Sequence, residues 1–290
     1  MNTRERTLAG LPVTDRRMNL AGVPTAVLEG GDGPPLVLLH GPGEFAALWG
    51  RVLPELATRF SVVVPDLPGH GDSGMPDGRL DLARVMGWTE ELLARTCPSP
   101  PAVVGHLLGG AVAARFALDH EGAVSRLVLV DTFGLRRTRP QLRFLLPLVA
   151  YTARPTEASR DRFLAGCFVD FDSVRDGLGE RWDAIAAYEL AWARSATGRK
   201  ALRGLMASFA LRAIGADDLA RIAVPTSLIW GRHDAQTPLR VAEAASARYG
   251  WPLHVVDDCG DDPFVERPDA ALAALGRALE SGTRPEATPG

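Results

Sequence analysis

Residues 101–118 read PAVVGHLLGGAVAARFAL and join a short apolar run to an alanine-rich helical pattern through a turn bounded by glycines. The apolar run is 101–104, the helical pattern is 111–118, and the turn, GHLLG, is 105–109. The turn has the G-x-S-x-G spacing of a strand–turn–helix that presents a nucleophile, but Leu107 stands where serine is expected. The sequence therefore predicts a turn of the kind that presents a nucleophile, with an unreactive leucine side chain at the nucleophile position.

Apolar runs of strand length recur outward from this turn. Most are continuous rather than alternating, which is typical of strands buried on both faces. They occupy residues 36–39, 61–64, 102–104, 126–130, 226–230 and 252–256. Helical patterns occupy residues 81–96, 108–119, 238–249 and 268–279. This alternation predicts an α/β fold, with a mostly parallel twisted sheet and helices on both faces.

One interval, 133–218, has no clear strand and is rich in Arg, Ala, Leu and aromatic residues. We interpret it as an inserted helical cap or lid, with a run of ordinary surface helices as the alternative. The core is then 1–132 together with 219–280. The tail, 281–290, has no apolar period and is expected to be disordered.

Composition and sequence motifs limit which partners and cofactors we expect for this protein. The net charge of −3 gives no basic footprint, so neither nucleic acid nor a membrane is expected as a partner. Three distant cysteines without a C-x-x-C indicate neither zinc nor a disulfide framework. No nucleotide-binding or metal-binding motif is present, so we predict no cofactor and no metal. The N-terminus has no apolar segment behind its charges, and a cytoplasmic protein is expected.

Five segments in order resemble the α/β-hydrolase family. LVLLHGPG at 36–43 is similar to its His-Gly turn, PDLPGHGDS at 65–73 to its glycine-rich loop, and 105–110 to its nucleophile elbow. WGRHD at 230–234 resembles the strand end that presents the acid, and CGDDPFVERP at 259–268 the late loop that presents the histidine. The resemblance covers roughly residues 20–280 and implies a chain order Ser…Asp…His.

Transferred residue by residue, the triad of the family is incomplete. The nucleophile position is Leu107, the acid position is Asp234, and the histidine position is Asp261. Serine hydrolysis needs a hydroxyl and an imidazole, and loss of such members costs on the order of 10⁶ in turnover. We therefore expect no serine-type ester hydrolysis. Asp261 would instead face Asp234, and two close carboxylates can share a proton.

The resemblance also locates an oxyanion hole. One donor would be the backbone N–H of Leu108, at the start of a helix. The other would come from the turn after His40, where Pro42 has no N–H. Gly43 and Glu44 are the candidates to replace it.

The remaining polar groups have a functional and a structural interpretation. His106, beside the elbow, is the best-placed base, with packing as its alternative. Asp131 follows the strand 126–130 and is either an alternative acid or a loop cap. Glu44 is a candidate pocket residue. Structural roles are favoured for His40, His70, His233 and Cys259.

Three functions remain open. The first is a cofactor-free, non-hydrolytic enzyme that catalyses cyclisation, rearrangement, elimination or C–C bond formation on a hydrophobic small molecule. In this enzyme Leu107 would line the floor of the active-site cavity. Proton transfer would be carried out by His106, Asp234, Asp261 or Asp131. The arginine-rich composition suggests bacterial secondary metabolism. The alternatives are a non-catalytic binding protein or partner subunit, and a hydrolase with a carboxylate-activated water; a homodimer is left open.

Overall fold

The structure is a computed structural model that describes residues 3–77, 79–137 and 141–280. Its eight strands form one sheet in the order β1-β2-β4-β3-β5-β6-β7-β8. They are β1 (Thr14–Leu20), β2 (Val23–Gly30), β3 (Pro35–Leu39), β4 (Ser61–Pro65), β5 (Ala102–His106), β6 (Arg126–Val130), β7 (Thr226–Gly231) and β8 (Leu253–Val256). All pairings from β4 to β8 are parallel. The predicted fold class is confirmed.

Thirteen α-helices accompany the sheet within the described ranges. They are α1 (Thr3–Leu8), α2 (Leu53–Leu56), α3 (Leu82–Thr96), α4 (Leu108–Asp119), α5 (Leu142–Ala153), α6 (Glu157–Cys167), α7 (Phe171–Leu178), α8 (Trp182–Arg194), α9 (Ala196–Leu205), α10 (Ala216–Ala220), α11 (Arg240–Tyr249), α12 (Pro263–Glu266) and α13 (Pro268–Glu280). None of these helices has the length and apolar character needed to cross a membrane.

The six apolar runs of the sequence are strands β3 to β8, but the first two strands were not predicted. β1 reads TDRRMNL and is exposed over most of its length, so it has no apolar run to reveal it. It pairs antiparallel with β2, and β2 pairs antiparallel with β4. This edge of the sheet is therefore an antiparallel hairpin.

The core lies on both faces of the sheet. In β3, Val37 and Leu39 belong to one apolar cluster, whereas Leu36 and Leu38 belong to another. Successive side chains of a strand point to opposite faces, so the two clusters are the two sides of the sheet. Both faces are apolar because helices cover both, and this explains the continuous runs in the sequence.

Helix α4 packs against β3 without room for side chains at its first turn. A Cβ atom on Gly109 would lie 2.5 Å from the carbonyl carbon of Leu39, and one on Gly105 would lie 2.5 Å from the Cα of Gly110. The N–H of Gly109 donates to the carbonyl of His40 at 3.1 Å. Glycine is therefore required at positions 105 and 109, because a side chain there would overlap the neighbouring main chain.

Between β6 and β7 the described residues form helices α5 to α10 and contain no strand. The division of the chain into a core and a cap stays a prediction, and the expected disorder of 281–290 concerns residues outside those described.

The contact between α4 and β3 can be tested with Gly109→Ala. We expect the variant to lose about 3 kcal/mol of unfolding free energy, because its Cβ overlaps the backbone of a central strand. Gly276→Ala is the matched control: it lies in α13 with open space where a Cβ would stand, and should gain about 1 kcal/mol. Urea denaturation measures both. Equal stability of the two variants would contradict the close approach.

Candidate active site

The turn between β5 and α4 has an unusual backbone conformation. Leu107 has φ 44° and ψ −102°, which a residue with a side chain adopts at a cost of about 1–3 kcal/mol. Three main-chain bonds hold it: its N–H donates to the carbonyl of Val130 at 2.9 Å, and its own carbonyl accepts from the N–H groups of Ala111 and Phe133, both at 3.2 Å. The strained shape is therefore present although the serine is absent.

The side chain of Leu107 is 2 % exposed but belongs to none of the four apolar clusters. Beside it, the N–H of Leu108 begins α4 and has no acceptor among the described residues. A helix N-terminus carries partial positive charge and stabilises an anion. The elbow therefore places the free N–H donor of Leu108 beside the unreactive side chain of Leu107.

The turn after His40 provides the other candidate donors. Pro42 has no N–H, whereas the N–H groups of Gly43 and Glu44 have no acceptor in the described part of the chain. Gly43 has φ 83°, and Trp192 covers it: a Cβ there would lie 3.3 Å from the Trp192 ring.

His106 and Glu44 form a buried pair. Nδ1 of His106 lies 3.2 Å from Oε2 of Glu44, and Nε2 lies 2.6 Å from the carbonyl oxygen of Asp261. Both partners accept only, and a neutral imidazole has a single N–H, so both bonds form only when the ring is protonated. Glu44 also accepts from the N–H of Gly41 at 2.6 Å.

The charges around this pair agree with a protonated ring. Burial lowers the pKa of His106, but the carboxylates of Glu44 and Asp262 outweigh it, and the pKa ends well above its ordinary value. Burial acts to raise the pKa of Glu44, but the charge of His106 and its hydrogen bond keep that pKa below its usual range. A role of His106 as base would require its release from Glu44.

Asp131, Asp234 and Asp261 form a buried group that we call the acid cluster. Oδ1 of Asp234 accepts from the N–H groups of Gln236 at 2.6 Å and Thr237 at 2.9 Å. The side-chain amide of Gln236 donates to Asp261. The structure thus brings three of the four predicted acid–base residues together, with His106 bonded to the backbone of one of them.

The hydroxyl group of Thr237 binds the acid cluster. Its oxygen lies 2.8 Å from the carbonyl oxygen of Asp131 and also contacts Oδ2 of Asp234. Thr237 therefore connects the side chain of Asp234 to the main chain at the end of β6.

Burial raises the pKa of all three acids. The pKa of Asp234 rises to about 6, although hydrogen bonds from Thr237 and Gln236 oppose the rise. For Asp131 and Asp261, burial and the charge of Asp234 together raise the pKa well above its ordinary value. Carboxyl groups in this cluster therefore hold protons near neutral pH, which serine hydrolysis does not require.

Among the described residues, one group of side chains could hold a metal ion. One ligand atom each from Glu44, His106 and Asp262 lie within 4.8 Å of one another. His106 would have to lose its proton and its bond to Glu44 to bind an ion. The arrangement favours the ion pair over a metal centre.

Helix α8 reaches the His-Gly turn and the glycine-rich loop. The Tyr188 ring lies 4.0 Å from that of Phe45, and its hydroxyl accepts from the N–H of Gly71. The indole of Trp192 donates to the carbonyl of Gly69 at 2.7 Å.

Between these two aromatic residues stands Glu189, which the sequence analysis missed. Its Oε2 is buried and has no hydrogen-bond partner within the described chain. Burial raises the pKa of Glu189 to about 8; Arg160 opposes the rise and repulsion from Glu44 adds to it. The available signal was an acid three residues before Trp192, a spacing that places the two side chains on neighbouring parts of the helix surface.

The late loop is attached to α6 and the residues after it. The N–H of Asp261 donates to the carbonyl of Cys167 at 3.2 Å, and a Cβ on Gly260 would overlap that carbonyl. The carboxylate of Glu266 accepts from the N–H groups of Val169, Asp170 and Gly260. These contacts bind the late loop to the end of α6 and to the residues that follow it.

Other candidate residues have structural surroundings. His40 is fully buried, with Nδ1 bonded to the carbonyl of Gly41 and Nε2 accepting from Leu67. Burial lowers the pKa of His70 to about 3. His233 is exposed, and burial raises the pKa of the Cys259 thiol.

A cavity of about 420 Å³ lies beside the acid cluster. Thr237 lines it and is bonded to Asp234, while Leu107 is not among its lining residues. The other lining residues are Thr132, Phe133, Gly134, Arg136, Arg137, Ala210, Leu211 and Val241. The sequence analysis expected Leu107 at the floor of a cavity, and Leu107 does not line this one.

Comparisons with known proteins agree with the fold. A family model described as the alpha/beta hydrolase family matches residues 36–275. The chain belongs to the α/β-hydrolase family.

Its relatives include esterases. It is 34% identical to the pimeloyl-[acyl-carrier protein] methyl ester esterase of Chromobacterium violaceum, covering 87% of this chain and 96% of the relative. It is 28% identical to an uncharacterised protein of Mycobacterium tuberculosis, covering 97% and 86%.

Solved structures share the fold. A bacterial membrane phospholipase A has a TM-score of 0.78 at 26% identity, covering 96% of this chain and 90% of that one. The 2-hydroxy-6-oxo-6-phenylhexa-2,4-dienoate hydrolase of Rhodococcus sp. strain RHA1 has a TM-score of 0.80 at 23% identity, covering 93% and 100%.

The His106–Glu44 pair can be tested with Glu44→Gln. Removing the carboxylate should lower the pKa of His106, observed by NMR titration of the ring, and cost about 3 kcal/mol of stability because a buried charge loses its partner. Glu243→Gln, at an exposed position, is the control.

The pair also sets a pH dependence. The pKa of His106 is raised on folding, so its contribution is complete below the ordinary histidine pKa and is lost as pH rises through the folded value. Glu44→Gln should flatten this slope. An unchanged ring titration in the variant would show that the pair does not form.

Proposed function

We propose that the protein is a cofactor-free proton-transfer enzyme that acts on a hydrophobic carbonyl compound without forming an acyl-enzyme. The reaction class is cyclisation, rearrangement, elimination or C–C bond formation, and we place it in bacterial secondary metabolism. The observation that carries the proposal is the strained elbow, which presents the free N–H of Leu108 beside a leucine instead of a nucleophile.

A free helix N-terminus supports the stabilisation of negative charge that develops on a carbonyl oxygen. In proton abstraction beside a carbonyl, the oxygen becomes an enolate, and a preorganised donor lowers that barrier. Leu107 adds no competing nucleophile. The same donor without a nucleophile has no use in acyl transfer through serine.

Carboxyl groups supply the proton transfers in this proposal. Asp234 titrates at about 6 and Glu189 at about 8, so at neutral pH the first is largely ionised and the second largely protonated. Asp234 then serves as base and Glu189 as acid. Pairs of carboxyl groups whose surroundings separate their pKa values are typical of acid–base sites.

A second candidate is ester hydrolysis through a water activated by Asp234 or Asp261. The 34% identical relative, named as a methyl ester esterase, favours it. A non-catalytic binding protein is the outcome if neither chemistry is found.

Solvent isotopes separate these functions. A library of hydrophobic ketones and esters is screened for thermal stabilisation, and the stabilising compounds are incubated in D₂O and in H₂¹⁸O for mass spectrometry. We expect deuterium incorporation or an isomeric product without ¹⁸O. Entry of ¹⁸O into a cleaved product would establish hydrolysis instead, and stabilisation without any isotope or product would establish a binding protein.

The pH profile assigns the acids. The rate should rise as pH passes about 6, where Asp234 ionises, and fall above about 8, where Glu189 loses its proton. Glu189→Gln should lower turnover on the order of 10²-fold and remove the alkaline fall. Glu180→Gln, exposed in the same interval, is the control. An alkaline fall that persists in Glu189→Gln would exclude this role.

Restoring the triad tests the elbow itself. The wild type should hydrolyse p-nitrophenyl esters at the buffer rate, and Leu107→Ser with Asp261→His should exceed it, because the oxyanion donor and Asp234 are already present. Each single variant lacks one member and serves as a control. Wild-type turnover well above buffer would overturn the argument from the missing serine.

A further inference from the structure

Helix α5 exposes large apolar side chains to solvent. Six such side chains are exposed in the described residues, and three lie on α5: Leu142 at 70%, Leu146 at 66% and Val149 at 55%. Their spacing of four and three residues places them on one face over about 10 Å of helix. We call this face the α5 stripe.

The opposite face of α5 is apolar as well. Phe144 is 3% exposed, and Leu148 packs with it in a cluster that includes Ala235. A helix that is apolar on both faces is normally surrounded by protein or lipid. The inner face has its partner, and the α5 stripe lacks one within the described chain.

Positively charged residues flank the α5 stripe along the chain. No Asp or Glu occurs between residues 132 and 156, whereas Arg136, Arg137, Arg143 and Arg154 are described there and all are exposed. The neighbouring helix α6 adds no net charge, since Glu157 and Asp161 match Arg160 and Arg162. The overall charge of −3 concealed this local excess.

The stripe is joined to the candidate site. The N–H of Gln141 donates to the carbonyl of Ala235 at 3.1 Å, and Arg143 donates to the carbonyl of His233 at 3.1 Å, on either side of Asp234. Arg136 and Arg137 line the cavity beside the acid cluster. An external surface that binds α5 would therefore also lie beside this cavity.

We propose that the α5 stripe and its arginines dock the protein on an anionic lipid surface, with the apolar side chains in the headgroup layer. An aliphatic ridge flanked by arginines combines the two attractions of interfacial helices. A second copy of this chain fits less well, because a twofold interface would place like charges opposite each other. The expectation from composition, that no membrane is a partner, is replaced by this proposal.

Co-sedimentation with vesicles tests the proposal independently of any enzymatic activity. The wild type should sediment with phosphatidylglycerol–phosphatidylcholine vesicles and not with phosphatidylcholine alone. Leu142→Gln with Leu146→Gln should weaken binding at least about tenfold. Arg136→Gln with Arg137→Gln should weaken it about fivefold per charge.

The controls are Leu82→Gln, at an exposed leucine of α3, and Arg221→Gln, at an exposed arginine beyond α10. Circular dichroism checks that every variant is folded. The proposal is overturned if the wild type stays in solution, if the controls lose binding as the α5 variants do, or if the protein dimerises without vesicles and Leu142→Gln with Leu146→Gln abolishes the dimer.

Discussion

The strained turn at Leu107 depends on contact between three backbones. β3 and α4 approach so closely that only glycine fits at position 109, and the end of β6 fixes Leu107 through its N–H. These contacts are between main-chain atoms, so they do not require a serine at the apex. The turn and the free N–H donor of α4 can therefore form with leucine at the apex.

Near that elbow the protein buries several carboxyl groups. Asp261 stands at the position where the sequence resemblance predicts the histidine of the family, and burial with the charge of Asp234 raises its pKa. The one imidazole beside the elbow, His106, has both nitrogens bonded to acceptors. Protons therefore reside on carboxyl groups and on a fixed imidazolium, a distribution suited to proton transfer and to stabilising negative charge.

The helices between β6 and β7 contribute chemical groups to the region around the elbow. Glu189 carries a buried Oε2 without a hydrogen-bond partner in the described chain and interacts electrostatically with Glu44, and the late loop is bound to α6 and the residues after it through Asp261 and Glu266. The arginines at the cavity continue into the exposed apolar face of α5. Access to the acid cluster and attachment to a surface are thus properties of the same part of the chain.

The sequence by itself determined the sheet from β3 to β8 and the turn between β5 and α4 with leucine at its apex, because continuous apolar runs, glycine spacing and residue identity are local properties. It did not reveal β1, whose polar residues lie at an edge, nor Glu189, whose helix reaches the His-Gly turn only through tertiary packing. The pairing of His106 with Glu44 and the raised pKa values of Asp131, Asp234 and Asp261 were likewise decided by the fold. Burial and neighbouring charge set a pKa, and both depend on residues distant in the chain.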